Sequence, residues 1–190
     1  ELRTPINAML GYSSLMLDNV YGELNQQQHN GVERMHRAPK HLLELVNDVL
    51  DLSKIEAGKI ELQIEPVVFP SIIQDLFVTV RPMADEHNSQ LTFEHDGDPI
   101  SIISDPRRVR QILLNLLSNA IKFGRGRPIK VHSCPWGENG VQIEVHDQGV
   151  GIPREHQEKI FDEFVQLSDS ERQDGTGLGL PISQRLAAIL

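Results

Sequence analysis

The stretch that decides the reading is Pro106-Arg107-Arg108-Val109-Arg110-Gln111-Ile112-Leu113-Leu114-Asn115-Leu116-Leu117-Ser118-Asn119-Ala120-Ile121-Lys122-Phe123. Asp105 before it offers an N-cap oxygen, Pro106 suits the first helical position, and Gly124 closes the helix. Val109, Ile112, Leu113, Leu116, Leu117 and Ala120 share one side at helical spacing and predict a buried face. On the other side Arg108, Gln111, Asn115, Asn119 and Lys122 recur at steps of 3, 4, 4 and 3. The plain reading of a polar stripe is a solvated face. Such faces are normally Glu, Lys and Arg, however, and Asn is a poor helix former. Amide oxygens are hard ligands that suit Mg²⁺ beside a polyphosphate, and a lysine one turn on can reach a phosphate oxygen. The stripe predicts a ligand face.

Downstream, 129–134 and 141–147 alternate as strands, with Glu138-Asn139-Gly140 as the turn between them. Val141, Ile143 and Val145 share one strand face, and Asp147 continues that parity, so its carboxylate is expected on the core side of the strand end. A carboxylate there needs a donor, and an adenine exocyclic amine would serve. Gly149 and Gly151 in Asp147-Gln148-Gly149-Val150-Gly151-Ile152 let a flat base approach the backbone; an ordinary Asp-Gly turn is the alternative. Gly175-Thr176-Gly177-Leu178-Gly179-Leu180 then leads into a final helix, 178–190, whose first N–H groups can face an anion. The polar run 168–174, following Phe161-Asp162-Glu163-Phe164, has the composition of a lid over a nucleotide.

Upstream, 59–66 alternates, 72–87 carries one apolar helical face, and 91–95 and 100–104 read as short strands around Asp96-Gly97-Asp98-Pro99. Helices and antiparallel strands in one unit predict an α/β sandwich over 60–190, a mixed sheet with helices on one face. Residues 1–59 differ. Leu2, Ile6, Met9, Ser13, Met16 and Val20 form a coiled-coil-like seam. After a polar turn at 19–28 come two stripes, Met35, Ala38, Leu42, Leu45, Val49 and Leu52 beside Leu43, Val46 and Leu50, ending at Gly58. Pro39 should kink this second helix, and Thr4-Pro5 taken locally looks like a helix start. A hairpin cannot bury faces this wide by itself. A dimeric four-helix bundle is the expected solution, ahead of packing on the downstream domain. The overall class is α+β.

The chain has 190 residues, 39% of them apolar and a net charge of −9, which excludes wholesale disorder and argues against nucleic-acid binding. Cys134 is the one cysteine, so no disulfide framework exists; it reads as a small buried strand residue. No apolar run has the length of a membrane span. Glu1-Leu2-Arg3-Thr4-Pro5 is an abrupt start, as of a fragment.

Taken in order, these motifs resemble the catalytic core of a sensor histidine kinase of a two-component system. Glu1 to Pro5 is similar to the H box without its His, and 50–59 to the end of the second dimerisation helix. Asn115 to Phe123 resembles the N box, Asp147 to Ile152 the G1 box, Phe161 to Phe164 the F box, and Gly175 to Leu180 the G2 box. The resemblance implies a Bergerat-type ATP-binding fold behind a phosphotransfer hairpin. It implies ATP and Mg²⁺ as cofactors, with Asn119 as metal ligand, Asn115 orienting the transfer and Lys122 neutralising a phosphate. Asp147 would read adenine N6. Phe123, Gly149, Gly151, Ile152 and Phe164 would line the nucleotide, and Gly175, Thr176, Gly177, Leu178 and Gly179 would grip its phosphates.

The acceptor His would immediately precede Glu1. Glu1 would polarise that imidazole, and Thr4 would position a water for dephosphorylation of the regulator. The eight His of the chain read as structural or surface residues. The family's first helix runs through Thr4-Pro5 with a kink, overriding the local reading. Two strands usual after the last helix are missing here. Implied partners are a second copy through 1–59 and a response regulator's receiver domain. Nucleic acid is not implied, and membrane contact would come only through segments outside this sequence. The implied location is cytoplasmic. Gyrase-, chaperone- and mismatch-repair-type ATPases share the fold but lack the hairpin. The runner-up reading is a degenerate module that binds ATP and dimerises without kinase turnover.

Overall fold

A computed structural model describes residues 2–97, 101–137, 140–167 and 175–190. Glu1, the tip of the 96–99 turn, the 138–139 turn and the expected lid at 168–174 lie outside the described residues. The helices are α1 (Arg3–Leu17), α2 (Gln26–Glu56), α3 (Phe69–Glu86), α4 (Pro106–Phe123) and α5 (Gly179–Ile189). The strands are β1 (Glu65–Val68), β2 (Leu91–His95), β3 (Ser101–Ser104), β4 (Ile129–Trp136) and β5 (Gly140–His146).

α1 and α2 form an antiparallel pair. Arg3 bonds Asn47 (2.9 Å) while Ser13 meets His36 Nδ1 (2.9 Å), so α2 numbers fall as α1 numbers rise. Between the helices Ile6, Ser13, Val32 and Pro39 are buried. Leu2 already has helical angles, so Thr4 lies inside the first turn and is no N-cap, which corrects the local reading of Thr4-Pro5. The expected turn at 19–28 is shorter, because Asn25 caps α2 in a reciprocal capping box with Gln28. α2 is continuous across Pro39, and Gly58 ends it in the left-handed region (φ 60°). Met35, Leu42 and Val49, spaced by seven, remain 42–54% exposed. Burying such side chains contributes about 1.5–3 kcal/mol each, so this row is an open seam.

The mixed sheet has order β2-β4-β5, with β2 parallel and β5 antiparallel to β4. The sequence reading ran 91–95 and 100–104 around one turn, but β3 instead pairs antiparallel with β1 in a separate two-stranded ribbon. β1 occupies only the end of the alternating segment 59–66. Phe69, Ile73 and Leu76 of α3 meet Leu113, Leu117 and Ile121 of α4 over Ile129 and Val131 of the sheet. Both helices cover one sheet face, as expected from α4's apolar side.

A second, smaller core joins the two parts. Leu52 at the foot of α2 packs with Leu178, Ile182 and Leu186 of the α5 region, with Ile55, Ile60 and Ile112 alongside. Part of the hairpin's apolar surface therefore goes to the downstream unit, while the 35-42-49 row does not.

Candidate functional site

α4 is positioned by its first residues. Asp105 is wholly buried and accepts from the Arg107 and Arg108 backbone N–H groups (2.9 and 3.3 Å). It also accepts from Gln63 N–H (2.8 Å) and the Arg107 guanidinium (3.0 Å). These donors, the Arg107 side chain foremost, hold its carboxyl well below the usual carboxylate range despite burial.

The polar stripe divides. Arg108 and Gln111 both donate to Asp51 of α2 (3.3 and 2.9 Å), so these two residues dock the hairpin and do not face a ligand. The lower half faces the start of α5. Asn115 Nδ2 donates to Ser183 Oγ (2.9 Å), and Asn119 Nδ2 lies 3.5 Å from Asn115 Oδ1. Asn115 and Asn119 are half-buried, whereas Lys122 and Phe123 are exposed.

Gly179 opens α5 against this amide. A Cβ there would sit 2.2 Å from Asn115 Oδ1, closer than real atoms approach. A side chain here would have to displace the Asn115 amide, a constraint set by tertiary contact rather than by backbone angle. Gly179→Ala should expel the Asn115 amide and cost about 1–3 kcal/mol in thermal or denaturant unfolding. The cost should shrink in an Asn115→Ala background; an equal cost in both would sink the contact.

α5 has no side-chain cap, whereas α2 and α4 fill theirs with Asn25 and Asp105. Its first turn offers backbone donors of the kind that hold phosphate. In the preceding loop, Thr176 Oγ1 donates to Asp48 of α2 (2.8 Å) and accepts from Leu178 N–H (3.2 Å). Desolvation, reinforced by Glu44 and Asp51, pushes the Asp48 carboxyl above its ordinary value, against the lowering effect of Thr176. Leu178 is fully buried, Gly177 O accepts from Phe164 N–H (3.1 Å), and Gly175 O accepts from Gln166 (2.9 Å). Phe164 adopts φ 62° with its ring exposed.

Asp147 departs from expectation. It lies one residue beyond β5 and is exposed, not turned into the core, and its Oδ1 accepts from Gly149 N–H (2.7 Å). The local donor satisfies one oxygen and leaves the other edge accessible. Gly149 packs on the end of α4, where a Cβ would lie 2.2 Å from the Phe123 carbonyl oxygen. Loop-to-helix packing therefore constrains this position to glycine on the side that meets α4. Gly151 (φ 69°) and the exposed Ile152 continue the loop.

Thr4 is exposed on α1. Glu1 lies outside the described residues, as does the lid segment. Sequence reasoning missed Asp48, Asp51, Ser183 and Arg185. Arg185 bonds Glu56 (2.9 Å) and Glu163 (2.7 Å), tying α5 to α2 and to the Phe161–Phe164 segment. Complementary charge was the sole available signal, because these partners lie 22–129 residues apart.

This architecture, a two-helix hairpin before an α/β unit with paired helix amides against a glycine-led helix, defines a class. Residues 1–58 match the His Kinase A (phospho-acceptor) domain, and residues 104–190 match the histidine kinase-, DNA gyrase B- and HSP90-like ATPase domain. The chain belongs to the histidine kinase family and is a sensor histidine kinase catalytic core of the ATP-binding type.

It is 39% identical over 194 residues to the circadian input-output histidine kinase CikA of Synechococcus elongatus, covering all of this chain and 26% of that protein. It is 33% identical over 198 residues to the cell-division control histidine kinase PdhS of Brucella ovis, covering 98% of this chain and 19% of that protein. Full-length ShkA, crystallised with AMPPNP, superposes with a TM-score of 0.79 at 33% identity over 98% of this chain and 38% of its own. The chain thus spans about a quarter or less of these curated relatives. No helix among the described residues is long and apolar enough to cross a membrane.

Proposed function

We propose that the chain is the core of an ATP-dependent protein-histidine kinase. It phosphorylates a histidine just upstream of Glu1 and passes the group to an aspartate of a response regulator, with phosphatase activity toward that regulator. Residues 1–59 serve as the dimerisation and phosphotransfer hairpin, and 60–190 as the catalytic ATP-binding domain. The seam of Met35, Leu42 and Val49 supports pairing with a second copy. The reading implies a cytoplasmic core, where ATP is supplied.

The observation that carries the proposal is the seating of Asn115 against Gly179. It brings the amide pair of α4 beside the uncapped start of α5. The donor set fits a magnesium nucleotide: Asn119 and Asn115 offer hard amide oxygens, Lys122 a cation, and α5 backbone N–H groups. A bound Mg²⁺ would neutralise charge on the transferring phosphoryl group. Asn119 Oδ1 would hold the ion, and Asn115, fixed by Ser183, would orient the transferring group. Lys122 would pair with a phosphate oxygen. Gly175, Thr176, Gly177, Leu178 and Gly179 would follow the phosphates, with Phe123, Gly149, Gly151, Ile152 and Phe164 around the rest. Asp147 would accept from the adenine amine on the edge that Gly149 leaves accessible. Glu1 would polarise the acceptor imidazole and Thr4 would position the hydrolytic water.

The test is labelling from γ-labelled ATP in a chain that includes the histidine before Glu1. Label on that histidine, chased onto a receiver aspartate, supports the kinase. Nucleotide binding without label would favour the degenerate module. Asp147→Asn exchanges one acceptor oxygen for a donor and should weaken adenosine nucleotides by about 1–3 kcal/mol in calorimetry, with circular dichroism unchanged. Unchanged affinity would remove Asp147 from base recognition.

A further inference from the structure

The sheet face turned away from α3 and α4 is built of ligating side chains. Along β4, Ile129, Val131 and Ser133 are buried inward, while Lys130, His132 and Cys134 are half-exposed on the other side. The register sets His132 beside Glu94 on β2 and Glu144 on β5, and Cys134 beside Gln142. Asp96 follows β2 and donates its N–H to Ser133 O (3.0 Å), which extends the parallel pairing to the level of Cys134. Cys134 is therefore not the buried strand residue that its sequence suggests.

His132 is held between two carboxylates. Its Nε2 lies 3.2 Å from Asp96 Oδ1, and its Nδ1 lies 3.9 Å from Glu144 Oε2. Ligand atoms of Asp96, His132 and Cys134 all fall within 4.8 Å of one another. Glu144 is itself fixed by Gln142 (2.8 Å) and His146 (2.8 Å), and it borders a groove of about 350 Å³ with Glu94, Lys130, His132 and His146.

We propose that Asp96, His132 and Cys134 bind a divalent transition-metal ion of the Zn²⁺ class. Oxygen, imidazole nitrogen and thiolate are a donor set for borderline ions, and a thiolate disfavours Mg²⁺ and Ca²⁺. Ligands of a tetrahedral zinc sit roughly 3.3–3.8 Å apart. The Asp96–His132 pair, at 3.2 Å, stands just below that spacing, and side-chain rotation by about an ångström brings in Cys134. The fourth position belongs to water. Glu144 Oε2, 3.9 Å from the other ring nitrogen, stands where a small rotation would give a metal-bound imidazole the carboxylate that fixes its tautomer and ring. A simple His–Asp ion pair does not account for the thiol beside it. Asp147 follows His146 directly, so the strand beside the site, which carries Glu144, leads into the proposed adenine-reading loop.

Co²⁺ titration of the reduced chain tests this. Cys134 is the sole cysteine, so any thiolate-to-cobalt charge-transfer band reports on it alone. One equivalent should give that near-ultraviolet band with tetrahedral visible absorption, and Zn²⁺ should displace it. Cys134→Ser should abolish the band. Glu144→Gln should weaken binding about 10–100-fold, and Asp96→Asn, at an exposed side chain, by at least about tenfold. Asn119→Ala should leave the band intact, which separates this site from the nucleotide's metal. Zn²⁺ should also slow alkylation of Cys134. No charge-transfer band, an undiminished band in Asp96→Asn, or an unchanged alkylation rate would each overturn the proposal, whatever nucleotide binding shows.

Discussion

Asn119→Ala is expected to abolish labelling of the histidine before Glu1 from γ-labelled ATP, by roughly 10²–10³-fold or more. Phosphoryl transfer leaves the protein little covalent chemistry to do, so positioning and charge neutralisation supply most of the rate. The alanine removes the amide oxygen proposed to hold Mg²⁺ without opening the core. Asn119 is half-buried, and among the described residues its side-chain hydrogen bond is the long one (3.5 Å) to Asn115. Circular dichroism and the unfolding midpoint should therefore stay near those of the parent. Chelation of Mg²⁺ should reproduce the loss, and combining the two should add nothing. Labelling at the parent rate would end the metal assignment at Asn119 and leave the family membership untouched.

The second large effect is on stability. Asp105→Ala removes the cap of α4, worth about 1 kcal/mol, and orphans the Gln63 N–H at about 1–3 kcal/mol more. The total, roughly 3 kcal/mol, is a large share of the stability of an ordinary domain. Gln63 lies in the connector between α2 and β1, so the same carboxylate fastens that connector to α4. Asp105→Asn isolates the charge. The folded carboxyl titrates below its unfolded counterpart, chiefly through the Arg107 side chain. Its stabilisation is therefore complete above the ordinary carboxylate range and is lost as pH falls through that range toward the folded value. The parent's advantage over Asp105→Asn, measured by denaturant midpoint, should shrink progressively below about pH 5. A gap that stays constant would show that Asp105 contributes no linked charge.

Much of this was legible along the chain because the signals are local. The cap Asp105-Pro106, the apolar face of α4 and the glycine end of α2 each occupy a few consecutive residues. Strand alternation at 91–95 and 129–134 was equally plain. Pairing was not, because no residue between β2 and β3 records that β2 joins β4 and β3 joins β1. The polar stripe of α4 shows the same limit inside one helix. Arg108 and Gln111 look like Asn115 and Asn119 in spacing, yet the first two meet Asp51 and the last two face α5. Asp147 was misjudged because parity was extended past the end of β5, where the chain had already left the sheet. Cys134 was misjudged because parity alone does not say which face the helices cover.

The sequence by itself determined the helical hairpin, the order of the nucleotide motifs and the residues able to ligate, since these rest on composition and short-range spacing, and the resemblance of those motifs pointed to the family. Only the tertiary structure decided which of those residues meet. Asn115 against Gly179, Thr176 against Asp48 and His132 between Asp96 and Glu144 all join segments far apart in the chain. Such contacts depend on how the helices and strands pack in three dimensions, and no local preference of the backbone encodes that distance.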